Sequence, residues 1–245
     1  MFHWEKHAQE YDAWFSTHPG KFALEQEKRL VQHLVSSWPR RKQSLLDIGC
    51  GTGAFLELFW ESGFDVYGID ASPGMLARAR EKMGNRADLH LGKAQHLPFD
   101  DNEFDFSAII TLLEFCHEPE KVIREAARVT KKGILLCFLN KKSLYCLGKK
   151  MTTRNNTGFF KQARLFSVKE VKKLLFDVLG PRVISARSVL PGPESTWTCP
   201  WPLKMVNRLF LPAGIGAFSG MRVDLIERTP LKTPLMAVKK EAGAS

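Results

Sequence analysis

Between residues 44 and 139 short apolar or β-branched runs alternate with stretches of helical spacing, and that rhythm leaves few architectures open. A strand, a helix and a second strand in succession close most readily into a parallel sheet with helices on its faces. The spacing predicts strands at Ser44 to Ile48, Asp65 to Ile69, Asp88 to Gly92, Phe104 to Ile110 and Gly133 to Leu139. Between them, Thr52 to Ser62 sets Phe55, Leu58 and Phe59 on one helical face, and Ser72 caps a helix that has Pro73 in its first turn and runs to Met83. Glu118-Pro119-Glu120 opens a third helix, with Val122, Ile123, Ala126 and Val129 on one side. Two more strands, at about 182–190 and 217–226, bring the expected sheet to seven, mainly parallel.

The flanks differ from this core. Residues 1 to about 40 have helical spacing and many aromatics (Trp4, Tyr11, Trp14, Phe15, Phe22), broken by Ser16-Thr17-His18-Pro19-Gly20, which predicts two helices and a turn. Residues 140–165 read as basic and irregular, and a helix from Ser167 to Leu179 carries the Ser-x-x-Glu capping pattern in Ser167 and Glu170. Residues 191–214, rich in Pro, Trp and Gly, admit no detailed assignment, and the chain from about Lys239 reads as a flexible tail.

At 245 residues the chain suits one elaborated domain. Its N-terminus lacks the basic start and unbroken apolar stretch of a signal peptide, and no apolar run approaches the ~20 residues of a membrane span. A cytoplasmic protein without membrane span is expected. Five cysteines, Cys50, Cys116 and Cys137 in apolar or motif contexts, predict buried free thiols. Thirty-six Lys and Arg against 26 Asp and Glu give a net charge of +10, spread over many short basic pairs, and a solvated basic surface explains that better than a nucleic-acid tract.

The chemistry concentrates in Asp47-x-Gly49-x-Gly51-x-Gly53, between the first strand and the first helix. Glycines there allow a sharp turn and let a ligand approach the main chain. The spacing is GxGxG, not the GxGxxG of dinucleotide sites, and no Gly-Lys-Ser/Thr of a phosphate loop follows. Gly68-Ile69-Asp70 ends the second strand with a carboxylate placed for ribose hydroxyls at the sheet's switch point.

The runs LLDIGCGTGAF, VYGIDASPGML and LGKAQHLPFDDNEFDFSAIITLLEFCHEPEKVIREAARVTKKGILLCFLN, continuous from about Ser44 to Asn140, closely resemble the class I S-adenosylmethionine (SAM)-dependent methyltransferases. The likeness is to the small-molecule branch that includes the menaquinone and ubiquinone C-methyltransferases. It implies a Rossmann-like, doubly wound α/β fold with a mainly parallel seven-stranded sheet and an N-terminal helical lid. In that organisation residues 1–40 form the lid, residues 41–238 the SAM-binding core with substrate-covering segments at about 140–165 and 191–214, and residues 239–245 the tail.

The resemblance also implies roles. Gly49, Cys50 and Gly51 give backbone contact to the methionine part of SAM, Asp47 orients the loop and the amino group, and Asp70 holds the ribose. Ala71 and Met75 flank the adenine, Ala94 and Gln95 close its pocket, and Thr111 and Leu112 line the floor near the methionine tail. Relatives usually carry Asp before that alanine; this chain has Lys93, so the adenine amino group loses that partner unless Gln95 supplies one.

Methyl transfer from a sulfonium is an in-line displacement that rests mainly on positioning and exclusion of water. If the acceptor must lose a proton, the candidate bases are His117, Tyr11 and His18. Tyr11, Trp14, Phe15 and Glu114 are candidate walls of the acceptor pocket. Cys116 and His117, adjacent and without further ligands, make a poor tetrahedral set, and no metal is assigned. The expected partner is a small-molecule methyl acceptor, with oligomeric state open. An RNA or DNA methyltransferase and a non-catalytic SAM-binding protein are the alternatives. Thr111-Leu112-Leu113-Glu114, where amino-group methyltransferases of nucleic acids carry Asp/Asn-Pro-Pro-Tyr/Phe, speaks against the first, and the intact glycines and Asp70 against the second.

Overall fold

The computed structural model describes residues 12–152, 163–199 and 203–226. Its eight strands are β1 (Ser44–Ile48), β2 (Asp65–Asp70), β3 (Ala87–Leu91), β4 (Phe104–Ile110), β5 (Thr130–Leu139), β6 (Val183–Val189), β7 (Leu211–Pro212) and β8 (Phe218–Asp224). They form one sheet in the order β3-β2-β1-β4-β5-β8-β6-β7. The first five are parallel, while β8 runs antiparallel between β5 and β6. From β1 the chain winds first towards β3 and then, from β4, the other way, which opens a crevice at the carboxyl ends of β1 and β4.

Helices α1 (His18–Leu34), α2 (Leu56–Glu61) and α3 (Pro73–Met83) cover one face of this sheet; α4 (Pro119–Val129) and α6 (Val168–Leu179) cover the other. Strand alternation sorts the core accordingly: Leu45, Phe106, Ala108, Leu135 and Cys137 face the first layer, and Leu46, Ile109, Ile134, Leu136 and Phe138 the second. Near-continuous apolar runs such as Leu45-Leu46 and Ile134 to Phe138 follow from burial on both faces.

The expected break before α1 is present. Residues 12–16 are helical, Thr17 caps α1 by accepting from the Gly20 N–H at 3.1 Å, and a Cβ at Gly20 would lie 2.0 Å from the Trp14 carbonyl oxygen. Only glycine fits so close an approach. Helix α1 then runs the length of the sheet: Leu34 crowds Gly220 of β8, and Trp38 beyond its end stacks on Phe106 with centroids 4.2 Å apart. Its N-terminal half therefore lies towards the end of the sheet where β5 finishes, mainly over β8 and β6.

Several expectations need correction in detail. The sheet has eight strands rather than seven, because Leu211–Pro212, in the stretch left unassigned, pairs with Arg187 and Ser188. Residues 140–165 are not wholly irregular: α5 (Leu144–Thr152) lies within them, and a short α7 (Leu203–Val206) lies in the other insert. The helix expected from Thr52 starts at Leu56, since Gly53 turns at φ +79° and holds the chain out of helical geometry. β5 begins at Thr130 rather than Gly133, directly at the end of α4, where the Thr130 hydroxyl bonds the Ala126 carbonyl at 2.5 Å. The Ser167–Glu170 capping box forms as read.

Cys50, Cys116 and Cys137 are buried free thiols. Among the described residues no helix is long and apolar enough to cross a membrane.

Candidate active site

Beyond β1 the chain turns through three left-handed glycines, Gly49 (φ +75°), Gly51 (+54°) and Gly53 (+79°). The N–H groups of Gly49 and Cys50 donate to the Ile69 carbonyl at 2.7 and 3.1 Å, tying the loop to β2. A Cβ at Gly49 would strike Leu112 at 2.7 Å, whereas one at Gly51 would meet no atom within 4 Å. The backbone at Gly51 thus faces open space. Asp70 fastens the loop from the next strand: Oδ2 accepts the Gly51 N–H at 2.9 Å and Oδ1 the Ser72 N–H at 2.8 Å. Burial lifts its carboxyl above the usual range against the pull of these bonds.

Asp47 is 2% exposed, and no donor among the described residues reaches its carboxyl. Burial, reinforced by the charge of Asp70, pushes it up to about 7. A buried carboxyl with no donor is costly unless a ligand supplies one.

On the other side of the crevice β4 ends at Thr111, which adopts φ +47° while its N–H donates to the Cys137 carbonyl at 2.9 Å. Left-handed backbone at a β-branched residue is strained and marks a place where geometry is imposed by the surroundings. The turn carries Glu114 inward, 2% exposed, its Oε1 accepting the Leu139 N–H at 2.7 Å and its Oε2 without a hydrogen-bond partner among the described residues. Burial pushes this carboxyl to about 7. A third carboxyl, Glu27 on α1, has no hydrogen bond or ion pair to a described residue and is pushed to about 8 by burial. The Cys137 thiol of β5, on the face that α1 covers, is driven far up by burial and then by the charges of Glu27, Glu114 and Asp47.

The flanks close over this region. Asp12 accepts from Thr52 Oγ1 at 2.7 Å, from Arg78 at 3.1 Å and from Lys82 at 3.0 Å, joining residues 12–16 to the glycine loop and to α3. Tyr145 on α5 stacks on Trp197 at 4.9 Å; both are buried. The Arg164 N–H donates to the Glu114 carbonyl at 2.7 Å.

The sequence matches the family described as a methyltransferase domain over residues 46–138. An uncharacterized protein of Methanocaldococcus jannaschii is 36% identical over 189 residues, 76% of this chain and 84% of that protein. The ubiquinone/menaquinone biosynthesis C-methyltransferase UbiE of Campylobacter jejuni is 31% identical over 172 residues, 67% of this chain and 68% of its own length. This chain belongs to the class I SAM-dependent methyltransferases. A crystal structure of a SAM-dependent methyltransferase of Thermotoga maritima, described as a possible histamine N-methyltransferase, agrees with a TM-score of 0.72 at 25% identity, over 91% of this chain and 98% of that one.

SAM is the cofactor of this methyltransferase, and the residues present suit it. SAM carries an ammonium and a sulfonium; Asp47 is a buried carboxyl lacking a donor, and Gly51 leaves backbone open for a ligand. The Asp70 carboxyl accepts the Gly51 and Ser72 N–H groups and retains acceptor capacity for a ribose hydroxyl.

The structure gathers Asp47, Gly49, Cys50, Gly51, Asp70, Thr111 and Leu112 around one crevice, and the turn from Lys93 to His96 brings Ala94 and Gln95 beside the end of β2, where Gly92 N–H donates to the Asp70 carbonyl. Ala71 is exposed at that edge, while Met75 is 3% exposed and lies in the core under α3. Trp14 and Phe15 are half-buried and meet edge to face at 5.0 Å. His117 is exposed ahead of α4, on the side of the sheet away from Asp47 and Glu27, and His18 is exposed at the start of α1. Neither is brought to the crevice. Tyr11 lies outside the described residues. Glu27, Tyr145 and Asp12 were missed. Glu27 alone left a signal, a carboxylate in the apolar stripe Ala23, Glu27, Leu30, Val31, Leu34.

Proposed function

We propose that this methyltransferase acts on a small-molecule acceptor held between α1 and the carboxyl ends of β4 and β5. The observation that carries the reading is the burial of Glu27, Glu114, Tyr145 and Trp197 in this part of the fold, which suits a small ligand and not a polymer. A polynucleotide needs an open basic track. Here Lys132, Lys141 and Lys173, one from each of three basic pairs, are engaged by Asp105, Glu170 and Asp177.

In this reading Asp47 and the loop from Gly49 to Gly51 hold the methionine part of SAM and Asp70 its ribose, with Ala71, Ala94 and Gln95 about the adenine. Bound SAM supplies a methyl group on a positively charged sulfur. The protein holds acceptor and donor in line and keeps water out, the terms that dominate such a displacement. Residues 12–40 serve as the lid, fastened by Asp12, and the segments at 140–165 and 191–214 complete the acceptor pocket. Glu114, pushed to about 7 and with one free oxygen, replaces His117 as the proton acceptor the geometry favours. Similarity to a C-methyltransferase and to a possible histamine N-methyltransferase leaves the acceptor atom to these residues.

The test is incubation with methyl-labelled SAM and a mixed cell extract. Label in a product of low mass is expected; label in RNA, DNA or protein overturns the reading.

A further inference from the structure

We infer that the acceptor is an amine, received as its ammonium ion by the carboxyls of Glu27 and Glu114. The inference rests on the small-molecule reading above and narrows it.

Glu27 and Glu114 approach the carboxyl end of the parallel sheet from unrelated parts of the chain. Glu114 is fixed by the Leu139 N–H at the last residue of β5. Glu27 sits one helical turn before Leu30, whose side chain lies beside Gly220, the partner of Cys137 in β8. Both therefore stand at the carboxyl end of β5, one from the helix above it and one from the turn after β4. Neither has a cation: the ion pairs of the described residues involve neither carboxyl, and Glu114 Oε2 is sealed from solvent without a donor. Burying one such group costs of order 1–3 kcal/mol, and a ligand that brings donors to both carboxyls offsets that cost.

The ligand that does so must bring several donors, and preferably charge. An alcohol or phenol offers one O–H and leaves the second carboxyl unserved. A carboxylate or phosphate ester is repelled. A primary ammonium offers three N–H donors and a positive charge. Beside Glu27 stand Tyr145 and Trp197, an aromatic wall suited to the carbon frame or the charge of such a molecule. The step balances. The ammonium gives one proton to a carboxylate, making a carboxylic acid; the freed nitrogen lone pair forms the N–C bond as the methyl C–S bond breaks, its electron pair staying on sulfur. The methylated ammonium and a thioether result, and the carboxylic acid later returns its proton to solvent.

Calorimetry on the full chain saturated with S-adenosylhomocysteine tests this with three probes of one shape: 2-phenylethylamine, 2-phenylethanol and 3-phenylpropionate. The amine is expected to bind at least tenfold tighter than the other two. Glu27→Gln and Glu114→Gln, each near-isosteric, should cut amine affinity at least tenfold while leaving the alcohol and S-adenosylhomocysteine within twofold. Alcohol or acid binding as tight as the amine overturns the inference, as does amine affinity unchanged in both variants. The labelled-extract experiment separates the two readings: a small product without a methylated nitrogen overturns the amine and spares the small-molecule reading, whereas label in RNA overturns both.

Discussion

The two sides of the crevice are built from different materials. The donor side is main chain: three left-handed glycines and the N–H groups of Gly51 and Ser72 on Asp70, within 24 residues of sequence from Gly49 to Ser72. The proposed acceptor side is side chain: Glu27, Glu114, Tyr145 and Trp197, spread over 171 residues from Glu27 to Trp197. Backbone geometry tolerates little substitution, so it holds one cofactor across a family. Side chains brought together by long-range packing can be exchanged, so they hold whatever acceptor a member uses.

The largest expected effect probes the acceptor side. Glu27 titrates near 8 in the fold against an ordinary value of 4.5, so between these values the folded chain holds a proton that the unfolded chain has lost. Stability therefore falls as pH rises through this window, by about 1.4 kcal/mol per pH unit for one such group. Glu27→Gln should be near neutral at pH 5 and stabilising at pH 8 by as much as about 4 kcal/mol, read from urea unfolding at both pH values. A parallel pH dependence in variant and parent would mean that Glu27 is solvated.

On the donor side the glycines should separate. Gly49→Ala combines the left-handed penalty with displacement of Leu112, about 2–3 kcal/mol of stability, together with loss of cofactor binding. Gly51→Ala meets no atom, so only the conformational cost of about 1 kcal/mol remains, yet S-adenosylhomocysteine affinity should drop at least tenfold because the new methyl occupies the space left for ligand. Equal affinity in parent and Gly51→Ala would place the cofactor elsewhere. The smallest effect is at the fastening between flank and loop: Asp12→Ala should cost about 1 kcal/mol or less, since its ion pairs with Arg78 and Lys82 are partly exposed, and added salt should shrink the difference.

The same division explains what could be read from the sequence. β1 and β4 begin and end where alternation and apolar runs put them, and the donor residues came from one short motif in context. Boundaries failed where local geometry overrode pattern, as at Gly53, which delays α2, and at Thr130, which starts β5 early. The proposed acceptor side was legible only in part: Glu114 was expected in its wall, while Glu27 and Tyr145 were not. Nothing near Asp12 in sequence announces Thr52, Arg78 or Lys82, and nothing near Glu114 announces Glu27. His117 drew notice by its chemistry and its nearness in sequence, but the turn that carries Glu114 inward leaves His117 outside. For Glu27 its place within the apolar stripe of α1 was the one sign available, and it needed the fold to say what it faced.

The junction of α4 and β5 bears on how such a protein can diversify. Val129 ends the helix and Thr130 opens the strand, so no residue is left over to lengthen. Insertions at that end of the sheet would shear a helix from its strand. At the opposite end β5 finishes at Leu139 and the next core helix opens only at Val168, with room between them for length to change. Lineages can thus rewrite what the enzyme methylates through one rim of the molecule while the other stays closed to change.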